Sequence, residues 1–298
     1  MPSQRSYHYQ VVDVFTEHPL EGNPLAVFPD ATGLDDGTMQ KIAKELNLSE
    51  TTFVFPATRP DCVASIRIFT PANEMQFAGH PTIGTSFVLM EQGLVPKNNQ
   101  SFVLEEKIGP IPIRVENGAH GRPLIWLATP PIQFGKTYDP ALCAKASGLK
   151  PDDLLDLPPQ LLSAGNPAVF IPVRNKEAVD RASLDPQGMK ILKRQEPGRL
   201  AMFVFTPTPE GAYSRMFAPD LGVAEDPASG SLTGPAAALM MRHGLAPRAP
   251  GTRLISEQGT KMGRRSLLHI LVRGEGGADG IDVGGYVTPL VSGTMTLA

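Results

Sequence analysis

The sequence predicts an α+β fold made by internal duplication: two similar halves, each a set of antiparallel strands around one buried helix. Three observations carry this. Two stretches, Pro81 to Gln92 and Gly230 to Leu245, read as helices with almost no charge, and Gly79/Gly230, Gly93/Gly244 and Leu94/Leu245 are each 151 positions apart. The turn Gly22-Asn23-Pro24 before Leu25-Ala26-Val27-Phe28 recurs as Gly165-Asn166-Pro167 before Ala168-Val169-Phe170. Finally, Phe53-Val54-Phe55 recurs as Phe203-Val204-Phe205, 150 positions on, and Arg67-Ile68-Phe69-Thr70-Pro71 as Arg215-Met216-Phe217-Ala218-Pro219, 148 positions on.

Taken in order, Tyr7 to Phe15 is rich in β-formers, and the Gly-Asn-Pro turn leads it into a second strand that pairs with it in antiparallel fashion. Asp35 or Asp36 then caps a helix whose apolar Met39, Ile42, Ala43 and Leu46 keep helical spacing until Asn47. Thr51 to Phe55 and Ala64 to Phe69 read as strands. A polar loop follows, and then the first buried helix, entered through Gly79 and His80 with Pro81 at its first position. Strands around Ser101–Leu104 and Ile111–Val115 close a half spanning residues 1–128, with the crossing at Ala128-Thr129-Pro130-Pro131. The second half, 129–282, repeats the order, with Met189 and Leu192 answering Met39 and Ile42. The last strand-like run, around 283–298, is free to pair with either half.

Composition narrows the function. With 27 Lys+Arg against 30 Asp+Glu the net charge is −3, too balanced for a nucleic-acid or membrane-surface partner. The content is 41% hydrophobic and 19% charged, as in soluble globular proteins, and no apolar run approaches the roughly 20 residues of a membrane span. With no signal-like apolar core behind Met1, the expected location is the cytoplasm. Two cysteines, Cys62 and Cys143, stand far apart in no metal or redox spacing, and the histidines show no ligand spacing, so neither a disulfide framework nor a metal is assigned. No Gly-x-Gly-x-x-Gly or Gly-x-x-x-x-Gly-Lys pattern suggests a nucleotide.

Chemistry is expected where the two buried helices begin. Free first-turn N–H groups and the positive dipole end suit a carboxylate or a developing enolate. If the two starts converge across a pseudo-twofold cleft, Gly79, His80, Asp226, Gly230 and Ser231 line it. His80 reads equally as a helix cap or core histidine, and Asp226 as a capping residue. Glu50 breaks the repeat, because Leu200 stands 150 positions later. A carboxylate in one copy against an apolar residue in the other suggests a general acid/base that removes a proton beside a carbonyl and returns it elsewhere. A solvated corner glutamate is the structural alternative.

These residues resemble a known family. Gly22-Asn23-Pro24, Asn47-Leu48-Ser49-Glu50-Thr51, Phe77-Ala78-Gly79-His80-Pro81, Glu225-Asp226-Pro227-Ala228-Ser229-Gly230-Ser231 and Gln258-Gly259 with Met262-Gly263-Arg264 are similar to motifs of the PhzF-like phenazine-biosynthesis proteins. The resemblance covers nearly the whole chain. It implies a diaminopimelate epimerase-like fold, two β-barrel-like halves each wrapped round a central helix, and a dimer. It also implies proton transfer on a small carboxylate without cofactor or metal. By motif, the acid/base falls on Glu50, the site histidine on His80, the aspartate on Asp226 and the substrate-binding serine on Ser231. Ser229 stands where the family usually has threonine, and Arg265 where it usually has proline. Neither cysteine lies at a helix entrance, so the two-cysteine racemase mechanism of the epimerases is not expected. Alternatives to the isomerase are an amino-acid epimerase or racemase and a non-catalytic binding module on the same fold.

Overall fold

The computed structural model describes residues 5–96, 99–195, 200–221, 223–274 and 280–297. The chain forms two compact units, one of residues 1–127 with 284–298 and one of residues 128–283. It is a mixed α/β fold, with six α-helices among the described residues.

In the first unit the elements run β1 (Arg5–Val14), β2 (Asn23–Phe28), α1 (Asp36–Leu46), β3 (Glu50–Phe55), β4 (Ala64–Phe69), β5 (Glu74–Met75), α2 (Gly79–Glu91), β6 (Ser101–Glu106), β7 (Gly109–Asn117) and β8 (Pro123–Ala128). β1 and β2 pair antiparallel, as the turn between them implies. The arrangement is not antiparallel throughout. β2 runs parallel to β3, and β4 parallel to β6. Both parallel pairs follow from the helices between them, since a crossover helix returns the chain to the same end of the sheet. The strand formed late in the chain, Val287–Leu297, pairs antiparallel with β1.

Local chemistry sets the boundaries. Asp35 caps α1 by accepting the Thr38 N–H, and Asn47 ends it in the left-handed conformation at φ 50. Met39, Ile42 and Ala43 bury the inner face of α1 against Phe28, Phe53 and Phe69, with Phe28 and Phe53 stacked at 5.1 Å. α2 is buried from His80 to Met90, as its lack of charge requires. Its first residue is Gly79, so Pro81 stands third rather than first. That place suits proline too, because the first four helical N–H groups lack intrahelical partners. Gly84 lets α2 press on the sheet: a Cβ there would come within 2.6 Å of Leu25 and 2.8 Å of Val14.

The second unit runs β9 (Gln133–Thr137), α3 (Pro140–Ala146), β10 (Gln160–Ser163), β11 (Pro167–Pro172), α4 (Lys176–Arg181), α5 (Pro186–Gln195), β12 (Ala201–Thr208), β13 (Gly211–Ala218), β14 (Val223–Asp226), α6 (Gly230–Arg242), β15 (Arg253–Gln258), β16 (Ser266–Val272) and β17 (Ile281–Gly285), whose last two residues belong to the first unit; β18 is Val287–Leu297. β11 is parallel to β12 across α4 and α5, and β13 parallel to β15 across α6. Leu232 and Ala236–Met241 of α6 pack among Phe170, Phe203, Phe205 and Ile270. Arg242 is the one charge α6 carries, in its last turn, where a cation favours the dipole. Cys62 and Cys143 are both free, and burial pushes the Cys143 thiol up to about 12.

Candidate active site

Three side chains of the first unit meet at the start of α2. Gly22 is needed at φ +68, where a Cβ would come within 2.3 Å of the Val14 carbonyl, and the turn it makes delivers Asn23 into the interior, fully buried. After the left-handed Asn47 the chain re-enters the sheet at Glu50, the first residue of β3, beside Leu25. His80 is the second residue of α2 and only 6% exposed. Asn23 Nδ2 lies 3.5 Å from His80 Nδ1, and His80 Nε2 lies 3.2 Å from Glu50 Oε2. An amide nitrogen can only donate, so Nδ1 accepts and the ring proton sits on Nε2, the atom facing Glu50.

The charge state follows from burial, which opposes the charged form of the ring and pushes it down to about 3. At neutral pH the pair is therefore a neutral imidazole beside a carboxyl group rather than an ion pair. The 3.2 Å approach of Nε2 to Glu50 Oε2 lacks the alignment of a full hydrogen bond.

Among the described residues no side chain caps α2, because Ala78 occupies the N-cap position. Pro81 has no N–H, and that of Thr82 bonds to the Ala78 carbonyl. The first-turn donors are thus those of Gly79 and His80, the pattern expected for holding an anion.

In the second unit, Asp226 ends β14 and Ser229 is the N-cap residue of α6. Ser229 does not cap the helix. Its hydroxyl donates to Asp226 Oδ2 at 2.5 Å, and Gln258, completely buried, ties the loop together. Gln258 Nε2 donates to the Asp226 carbonyl at 2.7 Å and to Ser229 Oγ at 3.0 Å, while its Oε1 accepts the Ser229 N–H at 3.2 Å. Gly259 follows at φ +75, where a Cβ would meet the Arg264 carbonyl at 2.3 Å, which explains the Gln-Gly pair. Asn166 donates to Ser231 Oγ at 3.3 Å. Leu232 and Thr233 both direct their N–H groups to the Ser229 carbonyl, leaving Gly230 and Ser231 as the first-turn donors.

Of the residues singled out in the sequence, Glu50, Gly79 and His80 come together in the first unit, and Asp226, Gly230 and Ser231 in the second. Asn23, Asn166, Ser229 and Gln258 complete these groups but carried no role beyond turn or motif in the sequence. The signal for the asparagines was present, since Gly-Asn-Pro occurs in both halves. Among the described residues no group of three His, Cys, Asp or Glu side chains is placed to hold a metal ion.

A protein family described as phenazine biosynthesis-like, PhzC-PhzF, matches residues 12–293. The chain belongs to the PhzF family. It is 38% identical to an uncharacterized isomerase of Mesorhizobium japonicum, covering 97% of this chain and 98% of the relative. To the trans-2,3-dihydro-3-hydroxyanthranilate isomerase of Pseudomonas aeruginosa it is 35% identical, covering 91% and 92%. A PhzF-family structure from Bacillus anthracis superposes with a TM-score of 0.87 at 26% identity, covering 99% of both chains. This PhzF-family protein is accordingly an isomerase.

Proposed function

We propose that this PhzF-family protein is a cofactor-independent isomerase that moves a proton on a small carboxylate substrate. The observation that carries this reading is the Glu50 carboxyl group 3.2 Å from a neutral His80 at an uncapped helix start. Glu50 removes a proton from carbon, the electron pair passes into an adjacent conjugated system, and Glu50 returns the proton to a different carbon. The Gly79 and His80 N–H groups, with Asp226, Gly230 and Ser231, are the substrate-binding groups, and the backbone N–H groups among them are preorganised donors that stabilise an enolate as charge develops on it.

The halves are proposed to descend from one ancestral unit of β-barrel-like form around its central helix. In each, an Asn of Gly-Asn-Pro contacts the second residue of the central helix. Each also has a phenylalanine pair across its first parallel strands, Phe28–Phe53 at 5.1 Å and Phe170–Phe203 at 5.3 Å. Arg67 bonds Glu74 while lying over Phe69, and Arg215 bonds Glu225 while lying over Phe217. A cytoplasmic homodimer belongs to the same proposal through the family resemblance; no described helix is long and apolar enough to cross a membrane.

The test is proton NMR in D2O with a panel of cyclohexadiene and amino-acid carboxylates, including trans-2,3-dihydro-3-hydroxyanthranilate. Deuterium entering at a carbon different from the one deprotonated supports the isomerase. Exchange with inversion at one carbon would make it an epimerase, and binding without exchange at any carbon would make it a binding module.

A further inference from the structure

A second buried carboxyl group lies beside the same helix start. Glu106, at the end of β6, is 5% exposed, and its Oε1 is 2.5 Å from Thr82 Oγ1 in the first turn of α2. Thr82 Oγ1 is also 2.7 Å from the Ala78 carbonyl. A hydroxyl has one proton to give. The Ala78 carbonyl has none, so that contact uses the threonine's own proton. The 2.5 Å contact with Glu106 then needs a second proton, and Glu106 is its only source.

We propose that Glu106 is an un-ionised carboxylic acid that positions the α2 start, donating its proton to Thr82 so that Thr82 fixes the Ala78 carbonyl and with it Gly79 and His80. Glu106 Oε2 has no hydrogen-bond partner among the described residues. A bare carbonyl oxygen is tolerable in the interior, whereas half of a bare carboxylate is far more costly. Burial pushes this acid up to about 8. The charged groups nearby are engaged elsewhere or neutral: Glu105 holds Thr58, Lys107 pairs with Glu74, and His80 on the same helix is uncharged. Among the described residues, burial and Thr82 are the influences on the titration, and no neighbouring charge enters it. In the second unit Thr233 makes the matching bond to the Ser229 carbonyl at 3.1 Å, but β15 ends in the buried amide Gln258 where β6 ends in the buried Glu106, and an amide does not ionise.

Deprotonation removes the donor. Thr82 must then choose between the carboxylate and Ala78, and the turn that presents Gly79 and His80 loosens. The effect on turnover rests on the function proposed above, but the latch itself does not.

The experiment follows the backbone amides of Gly79 and His80 by NMR from pH 6 to 10 in wild type and Glu106→Gln, whose side-chain NH2 donates to Thr82 but never ionises. The expected result is a titration of both amides with a midpoint near pH 8 in wild type and its absence in the variant. With a substrate found, wild-type kcat/KM shows an alkaline limb at the same pH, and the variant lacks it. Should the variant not fold, wild type labelled with 13C at glutamate carboxyl carbons gives the answer alone, since one carboxyl should titrate near pH 8. Amides that stay flat in wild type, amides that titrate equally in Glu106→Gln, or a set of glutamates that all ionise by pH 6 overturns the latch. Full activity in Glu50→Gln would overturn the proposed function and leave the latch standing.

Discussion

Asn166 gives an amide proton to Ser231 over 3.3 Å, and Asn23 reaches His80 Nδ1 over 3.5 Å in the other half. Each asparagine follows a left-handed glycine, Gly165 or Gly22, and each contacts the second residue of a buried helix. One contact sets the tautomer of an imidazole. The other sets the direction of a hydroxyl.

These contacts predict different defects for the same substitution. Asn23→Ala frees the His80 tautomer and should lower kcat by about 10-fold, with destabilisation of about 1–3 kcal/mol from the lost buried partner. Asn166→Ala should act mainly on KM, because Ser231 is assigned to binding. Steady-state kinetics with thermal melts of both variants check this, and equal effects on kcat would remove the distinction.

Glu50→Gln keeps shape and hydrogen-bonding capacity but accepts no proton at neutral pH. Turnover should fall by about 10² or more, the contribution of a positioned acid/base. The melting temperature should stay within a degree or two of wild type, because Glu50 sits at a strand start and bears little of the core.

Gln258→Leu should be among the most destabilising single changes in the second unit. It strands the Ser229 N–H and the Asp226 carbonyl, and one buried polar group left bare costs about 1–3 kcal/mol. Urea unfolding measures the loss. Asp226 should also lose its fixed orientation, so binding is expected to weaken more than melting alone would suggest.

Two buried groups tilt stability against pH in opposite directions. His80 has a folded value of about 3 against 6.5, so its contribution is full above pH 6.5 and is lost as pH falls towards 3. Glu106 has a folded value of about 8 against 4.5, so its contribution is full below pH 4.5 and is lost as pH rises through 8. Each slope is at most about 1.4 kcal/mol per pH unit. They offset one another between 4.5 and 6.5. Urea midpoints from pH 4 to 9 should show the stability difference, wild type minus Glu106→Gln, falling steadily up to pH 8 and then levelling.

Much of the fold is legible in the sequence because it rests on local signals. Asp35, Asn47 and the repeated Gly-Asn-Pro turns announce their roles through chemistry that acts within a few residues. The parallel pairings β2–β3 and β11–β12 were not legible, since a strand's direction is decided by what its connection packs against. Among the site residues, Glu50 stood out by breaking a repeat, and the helix starts stood out through their glycines. Gln258 and Glu106 were hidden, for neither has a local signature. Both matter through partners 24 to 32 positions away in the sequence, Thr82 for Glu106 and Ser229 and Asp226 for Gln258.

Among the described residues, no side chain caps the first turn of either central helix. Ala78 has none to offer, and Ser229 turns its hydroxyl to Asp226 instead. A good cap is worth about 1 kcal/mol, so each half gives up stability that one residue could restore. An engineer seeking thermostability would therefore place aspartate at Ala78. That carboxylate would act as a tethered competitor for the Gly79 and His80 amides, and the most heat-resistant version of this enzyme would inhibit itself.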